Sequence, residues 1–74
     1  MALLKAGASV QTLAVCGQGV PDLLVGYQGR NVLLEVKTAS GKLNKRQVEW
    51  HCDWRGQVEI VRSAEEALAV IGAA

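Results

Sequence analysis

Pro21-Asp22-Leu23-Leu24-Val25-Gly26-Tyr27-Gln28-Gly29-Arg30-Asn31-Val32-Leu33-Leu34-Glu35-Val36-Lys37-Thr38 reads as two apolar arms around a polar turn. Leu23, Leu24, Val25 and Tyr27 make one arm and Val32, Leu33, Leu34 and Val36 the other, a pattern of paired strands. Gln28-Gly29-Arg30-Asn31 is the turn. If Gln28-Gly29 is a two-residue loop, Tyr27 pairs with Arg30 and Asp22 falls opposite Glu35. A four-residue loop keeps the same parity. Side chains alternate along a strand, so Glu35 and Lys37 share one face while Leu34 and Val36 take the other, toward the core. Asp22, Glu35 and Lys37 therefore converge on one side of the hairpin.

Charges on an otherwise apolar hairpin are costly unless they are paired or bind a metal. Two facing carboxylates suit a hard divalent cation, Mg²⁺ or Mn²⁺, which takes oxygen ligands and keeps several waters. Such an ion activates water and neutralises charge on a phosphate, with Lys37 placed to position the water or the anion.

The combination of Asp22 with Glu35-x-Lys37 resembles the signature of the PD-(D/E)XK nuclease superfamily. The stretch GVPDLLVGYQGRNVLLEVKTASGKLNKRQVEWHCDWRG, Gly19 to Gly56, is similar to its VRR-NUC branch, found as small phage or prophage proteins and as a domain of larger repair nucleases. The similarity runs from about Gly7 to about Ile71. It implies a single nuclease domain over 1–74 with an α/β, restriction-endonuclease-like core: a mixed four-stranded sheet flanked by helices, the N-terminal helix being truncated. It also implies a Mg²⁺-dependent (or Mn²⁺-dependent) endonuclease that hydrolyses phosphodiester bonds of DNA, selective for branched structures such as flaps and four-way junctions. Asp22, Glu35 and the backbone carbonyl of Val36 would hold the metal, Lys37 would orient the water and Gln47 would assist. Relatives carry a further acid on a longer first helix, whereas Asp22 is the first acid in this sequence. A catalytically weak DNA-binding or assembly module with the nuclease fold is the alternative.

Outward from the hairpin, Ser9 to Val15 reads as a first strand and Gly17-Gln18-Gly19 as the turn that leads to Asp22. Asn44 is an N-cap, with Gln47 in a capping-box position that is compatible with a role at the site. Gly56 is expected to end that helix. Val58 to Val61 forms a strand parallel to the Glu35 strand, and Ser63 with Glu66 is a second capping box opening a helix to about Ile71.

Net charge is +1, so no overall basic signal for nucleic acid exists. Locally, Lys42, Lys45 and Arg46 surround the helix start, and with Arg30 on the hairpin they form a candidate phosphate-binding group. Trp50 and Trp54 are four apart on one stripe, expected as core or dimer contacts. His51 is either a general base or a packing residue, and the metal chemistry needs no histidine. Cys16 and Cys52 lack metal-ligand spacing and fit a reducing cytoplasm. Half of the 74 residues are apolar. So much apolar surface on a small domain points to a homodimer. No stretch reads as a membrane span or a signal peptide, so a cytoplasmic protein of a bacterial host is expected.

Overall fold

The structure, a computed structural model, describes residues 1–73, and Ala74 of the expected 1–74 domain lies outside them. In chain order the elements are α1 (Ala2–Lys5), β1 (Ser9–Thr12), β2 (Leu23–Tyr27), β3 (Arg30–Val36), α2 (Lys45–Asp53), β4 (Val58–Val61) and α3 (Ala64–Ile71). The strands form one mixed sheet in the order β1-β2-β3-β4, antiparallel except for the parallel pair β3 and β4. The expected α/β domain with a four-stranded mixed sheet is therefore present. Among the described residues, no helix is long and apolar enough to cross a membrane.

The β2–β3 hairpin closes through Gln28 and Gly29, both with positive φ (51° and 76°), as a two-residue turn between right-twisted strands requires. Tyr27 pairs with Arg30, and the register continues to Leu23 opposite Leu34. The first strand is shorter than its apolar pattern suggested. It stops at Thr12 rather than Val15, because Leu13 leaves the extended region (φ −113°, ψ 14°) and the Thr12 hydroxyl accepts from the Ala14 N–H at 3.3 Å. Ala14–Cys16 is a 3-10 turn, and Gly17, Gln18 and Gly19, all with positive φ, swing the chain back toward Pro21.

One face of the sheet is the core. Val25, Val32, Leu34 and Val61 bury against Leu3 of α1 and Ile71 of α3. Val36 was expected there too, but it is 50% exposed. It lies at the strand end, where the four-residue α1 leaves an open apolar groove shared with Met1, Leu23 and Val61. The N-cap of α3 is half a capping box: the Ser63 hydroxyl accepts from the Glu66 N–H at 3.1 Å, whereas Glu66 Oε1 accepts from Arg62 N–H, one residue earlier than expected.

Across the other face lies α2, which has no fully buried residue. Its first turn is what holds it. Asn44 and Gln47 form the complete capping box, each side chain accepting from the other's backbone N–H at 2.9 Å. Gly19 (φ 83°) lies directly on the backbone of that turn: an added Cβ would overlap the Arg46 carbonyl oxygen and sit 2.7 Å from its carbon. At the other end, Gly56 does not cap the helix. Trp54 does so in an extended conformation (φ −73°, ψ 129°), and its indole stacks on Trp50 with ring centroids 4.7 Å apart. Gly56 accommodates that ring, since a Cβ there would approach Trp54 Nε1 to 2.9 Å. The tryptophans are not core residues: Trp50 is half-buried and Trp54 exposed.

Gly19→Ala therefore combines a left-handed backbone with a backbone collision and is expected to cost about 2–3 kcal/mol in urea unfolding. Gly29→Ala has positive φ but open space around it. It should cost only about 1 kcal/mol.

Candidate active site at the end of the hairpin

The site forms where the β2–β3 ladder stops. In a hairpin closed by two residues, Tyr27 and Arg30 exchange both backbone hydrogen bonds, and so does every second pair along the strands. The next such pair after Leu23 and Leu34 would be Pro21 and Val36. Proline has no N–H, so the Val36 carbonyl faces a position that has no donor to offer it. The other half of the pair is replaced as well: Val36 N–H donates to the Asp22 carboxylate (Oδ2, 2.7 Å) rather than to a backbone carbonyl. The Lys37 N–H turns the other way, to Val61 of β4 (3.0 Å). Asp22 is in turn anchored through its own carbonyl, which accepts from Leu13 N–H at 2.8 Å.

Beside Asp22 on the α2 face is Glu35, 1% exposed and the one buried charged residue among those described. Lys37 follows on the same face, and its ammonium donates to Gln47 Oε1 at 2.9 Å. Gln47 Nε2 reaches back to Glu35 Oε2 at 3.4 Å. Gln47 thus serves as both a helix cap and a link between lysine and glutamate, the two roles its position allowed. Asp22, Glu35, Lys37, Gln47 and the Val36 carbonyl are brought together.

Arg30 is not. It starts β3, five residues and about 16 Å from Glu35. Its guanidinium donates to the Ile71 carbonyl at the end of α3 (3.2 Å). Lys42, Lys45 and Arg46 are exposed around the start of α2, next to Gln47. Arg62, not anticipated, donates to the carbonyls of Thr38 (2.7 Å) and Gly41 (2.6 Å) and fixes the connection between β3 and α2. His51 also lies at the site. Its Nε2 lies 3.6 Å from Glu35 Oε1. The signal was its i, i+4 spacing from Gln47, which puts both on one helix face.

No protein-family model, curated protein or solved structure matches this chain. The chemistry therefore rests on the site itself. Burial raises the Glu35 carboxyl from 4.5 to about 7; a hydrogen bond shared with Asp22 and the Asp22 charge add to the rise, and Lys37 partly opposes it. Burial and, after it, the Lys37 charge lower the His51 value from its ordinary one. Among the described residues, no group of three or more His, Cys, Asp or Glu side chains is placed to hold a metal ion. Yet Glu35 Oε1 is buried without a hydrogen-bond partner. A buried carboxylate with an orphaned oxygen, a neighbouring carboxylate and a carbonyl facing a missing donor fits an incomplete oxygen shell that water or phosphate would finish.

Because the folded value lies above the unfolded one, the native chain keeps a proton on Glu35 between pH 4.5 and 7 that the unfolded chain has lost. Stability should fall as pH rises through this window, and the loss should be complete above pH 7. The metal-free wild type is expected to lose up to about 3 kcal/mol relative to Glu35→Gln between pH 5 and pH 8, measured by denaturant unfolding in chelator.

Proposed function

We propose that the chain is a metal-dependent DNA endonuclease of the VRR-NUC type, with a restriction-endonuclease-like core, as the resemblance of its Asp22 and Glu35-x-Lys37 pattern implies. The observation that carries this reading is the junction of Asp22, Glu35, Lys37 and Gln47 at the end of the hairpin, with a buried Glu35 oxygen left unpartnered. Asp22, Glu35 and the Val36 carbonyl would hold Mg²⁺ or Mn²⁺. When bound, the ion would lower the pKa of a water and offset charge on the scissile phosphate. The ammonium of Lys37, oriented by Gln47, is placed to position the attacking water and to stabilise the anionic phosphate.

The helix start supports a phosphate partner. Lys45 and Arg46 occupy the first turn of α2, which has no acidic residue. Cations there oppose the helix dipole, by about 0.3–1 kcal/mol each. An anion bound between them would reverse that penalty, with Lys42 beside it. DNA is the polyanion that this reading assigns, in branched form as the resemblance implies. A second copy belongs to the same proposal, seated on the apolar groove of Leu24, Leu33 and Trp54 on the α2 face. Two exposed, unpaired thiols, Cys16 and Cys52, suit the reducing cytoplasm of a phage host.

A second reading, a DNA-binding module with little catalysis, is favoured by one observation: Asp22 Oδ2 is already engaged by Val36 N–H. Labelled duplex, flap and four-way-junction DNA with Mg²⁺ or Mn²⁺ separates the two. Cleavage is expected, with Asp22→Ala, Glu35→Ala and Lys37→Ala each losing at least about a hundredfold in rate while still binding DNA. Full-rate cutting by Asp22→Ala would sink the site assignment, and binding without cutting by the wild type would select the module. Lys45→Ala or Arg46→Ala should weaken binding across all substrates and lower the salt-dependence slope by about one each.

A further inference from the structure

β1 is an edge of the sheet, with β2 on one side and, among the described residues, no strand on the other. A bare edge is a template for another strand, and chains guard it with charges, proline or a bulge. β1 has none of these. Its register with β2 is continuous, and from Ala6 to Val20 the sequence carries no charged residue and no proline. The opposite edge, β4, is guarded: it contains Glu59 and lies between Arg55 and Arg62.

The free backbone groups of β1 match those of a second copy. Leu13 N–H donates to the Asp22 carbonyl at 2.8 Å, and alternation then turns the backbone of Ser9 and Gln11 toward β2. Val10 and Thr12 therefore direct N–H and C=O out of the sheet, and the same alternation turns the Ala8 carbonyl outward. The Thr12 carbonyl already accepts from Gln11 Nε2 at 3.2 Å, and Ala8 N–H donates to the Leu3 carbonyl at 3.0 Å. What remains is both groups of Val10, the Thr12 N–H and the Ala8 carbonyl. About a twofold axis through Val10 this set is self-complementary. The Val10 residues exchange both bonds, and each Thr12 N–H meets the partner's Ala8 carbonyl. The groups with internal partners, the Thr12 carbonyl and the Ala8 N–H, are the ones this register sets opposite each other.

From this match of donors and acceptors we infer that two copies of the chain join antiparallel through β1, so that their sheets run on across the interface as one. The inference rests on the second-copy reading above, names the edge that seats it, and uses no step of the nuclease chemistry. The apolar groove assigned there continues to this edge, since Leu24 and Asn31 line both it and the recess along Ser9 and Gln11. The register also brings Val15, 95% exposed beyond the end of one β1, toward the partner's Leu4, 56% exposed before the start of the other. No like charges meet, because the strand has none. An isologous contact of this kind closes at two subunits.

The test is sedimentation equilibrium of the full chain, beside amide hydrogen exchange read by NMR at about 30 µM and about 1 mM. A dimer is expected, with the Val10 and Thr12 amides exchanging at least tenfold more slowly at the higher concentration and the Gln11 amide slow at both. Gln11→Lys and Ser9→Lys each put a charge at an exposed position of the edge. Each should raise the dissociation constant at least tenfold and leave the circular dichroism unchanged. A dimer of unchanged affinity in both variants, with the Val10 and Thr12 amides unprotected, would overturn the inference and leave the second-copy reading standing. Assembly beyond a dimer would overturn the twofold register. A wild type that stays monomeric at about 1 mM would overturn both readings.

Discussion

The absence of one N–H group, that of Pro21, is the constraint on which the rest of the site depends. The two-residue turn at Gln28 and Gly29 sets the parity of the hairpin, and that parity brings Pro21 against Val36. Had the turn contained one residue more, every side chain of one arm would face the opposite side of the sheet. With the observed register the ladder ends at a proline. A carboxylate takes over the acceptor role, and the strand end becomes a place where backbone and side-chain oxygens are free for other partners.

Around that end the domain gives up stability to bury a carboxyl group. A carboxyl group that burial holds near pH 7 is a poor choice for a core, and a small domain has little margin to absorb it. The chain contains the cost with local devices rather than with more core. Arg62 fixes the loop that follows Lys37, Gly19 brings the Asp22 loop onto α2, and Gln47 joins Lys37 to Glu35. These contacts are specific in geometry and modest in buried apolar area, as expected where fold and site make competing demands on the same residues.

Much of this was legible in the sequence because it was local. Alternation and a two-residue turn determined the hairpin, and an Asn with a Gln three residues on marked the start of α2. What was not legible depended on surroundings. Val36 has the pattern of a core residue, but its exposure depends on how far α1 reaches over the sheet. Gly56 looks like a helix cap, but the chain leaves the helix at Trp54, whose ring stacks back on Trp50 and takes the space Gly56 leaves. Arg30 shares a hairpin with Glu35 yet lies at the opposite end, since sequence proximity to a turn says nothing of distance along a strand. Thr12 ended its strand early through a hydroxyl that competes with the ladder, an option open to any Ser or Thr near a bend.

Gln47 has a consequence for motion. The side chain that closes the first turn of α2 is also the one that links Lys37 to Glu35, and no buried residue of that helix provides a second anchorage. Fraying of a single helical turn would therefore release the cap, the lysine and the glutamate in one event. The free energy of that local opening, far smaller than that of global unfolding, determines what fraction of molecules has an assembled site at any moment.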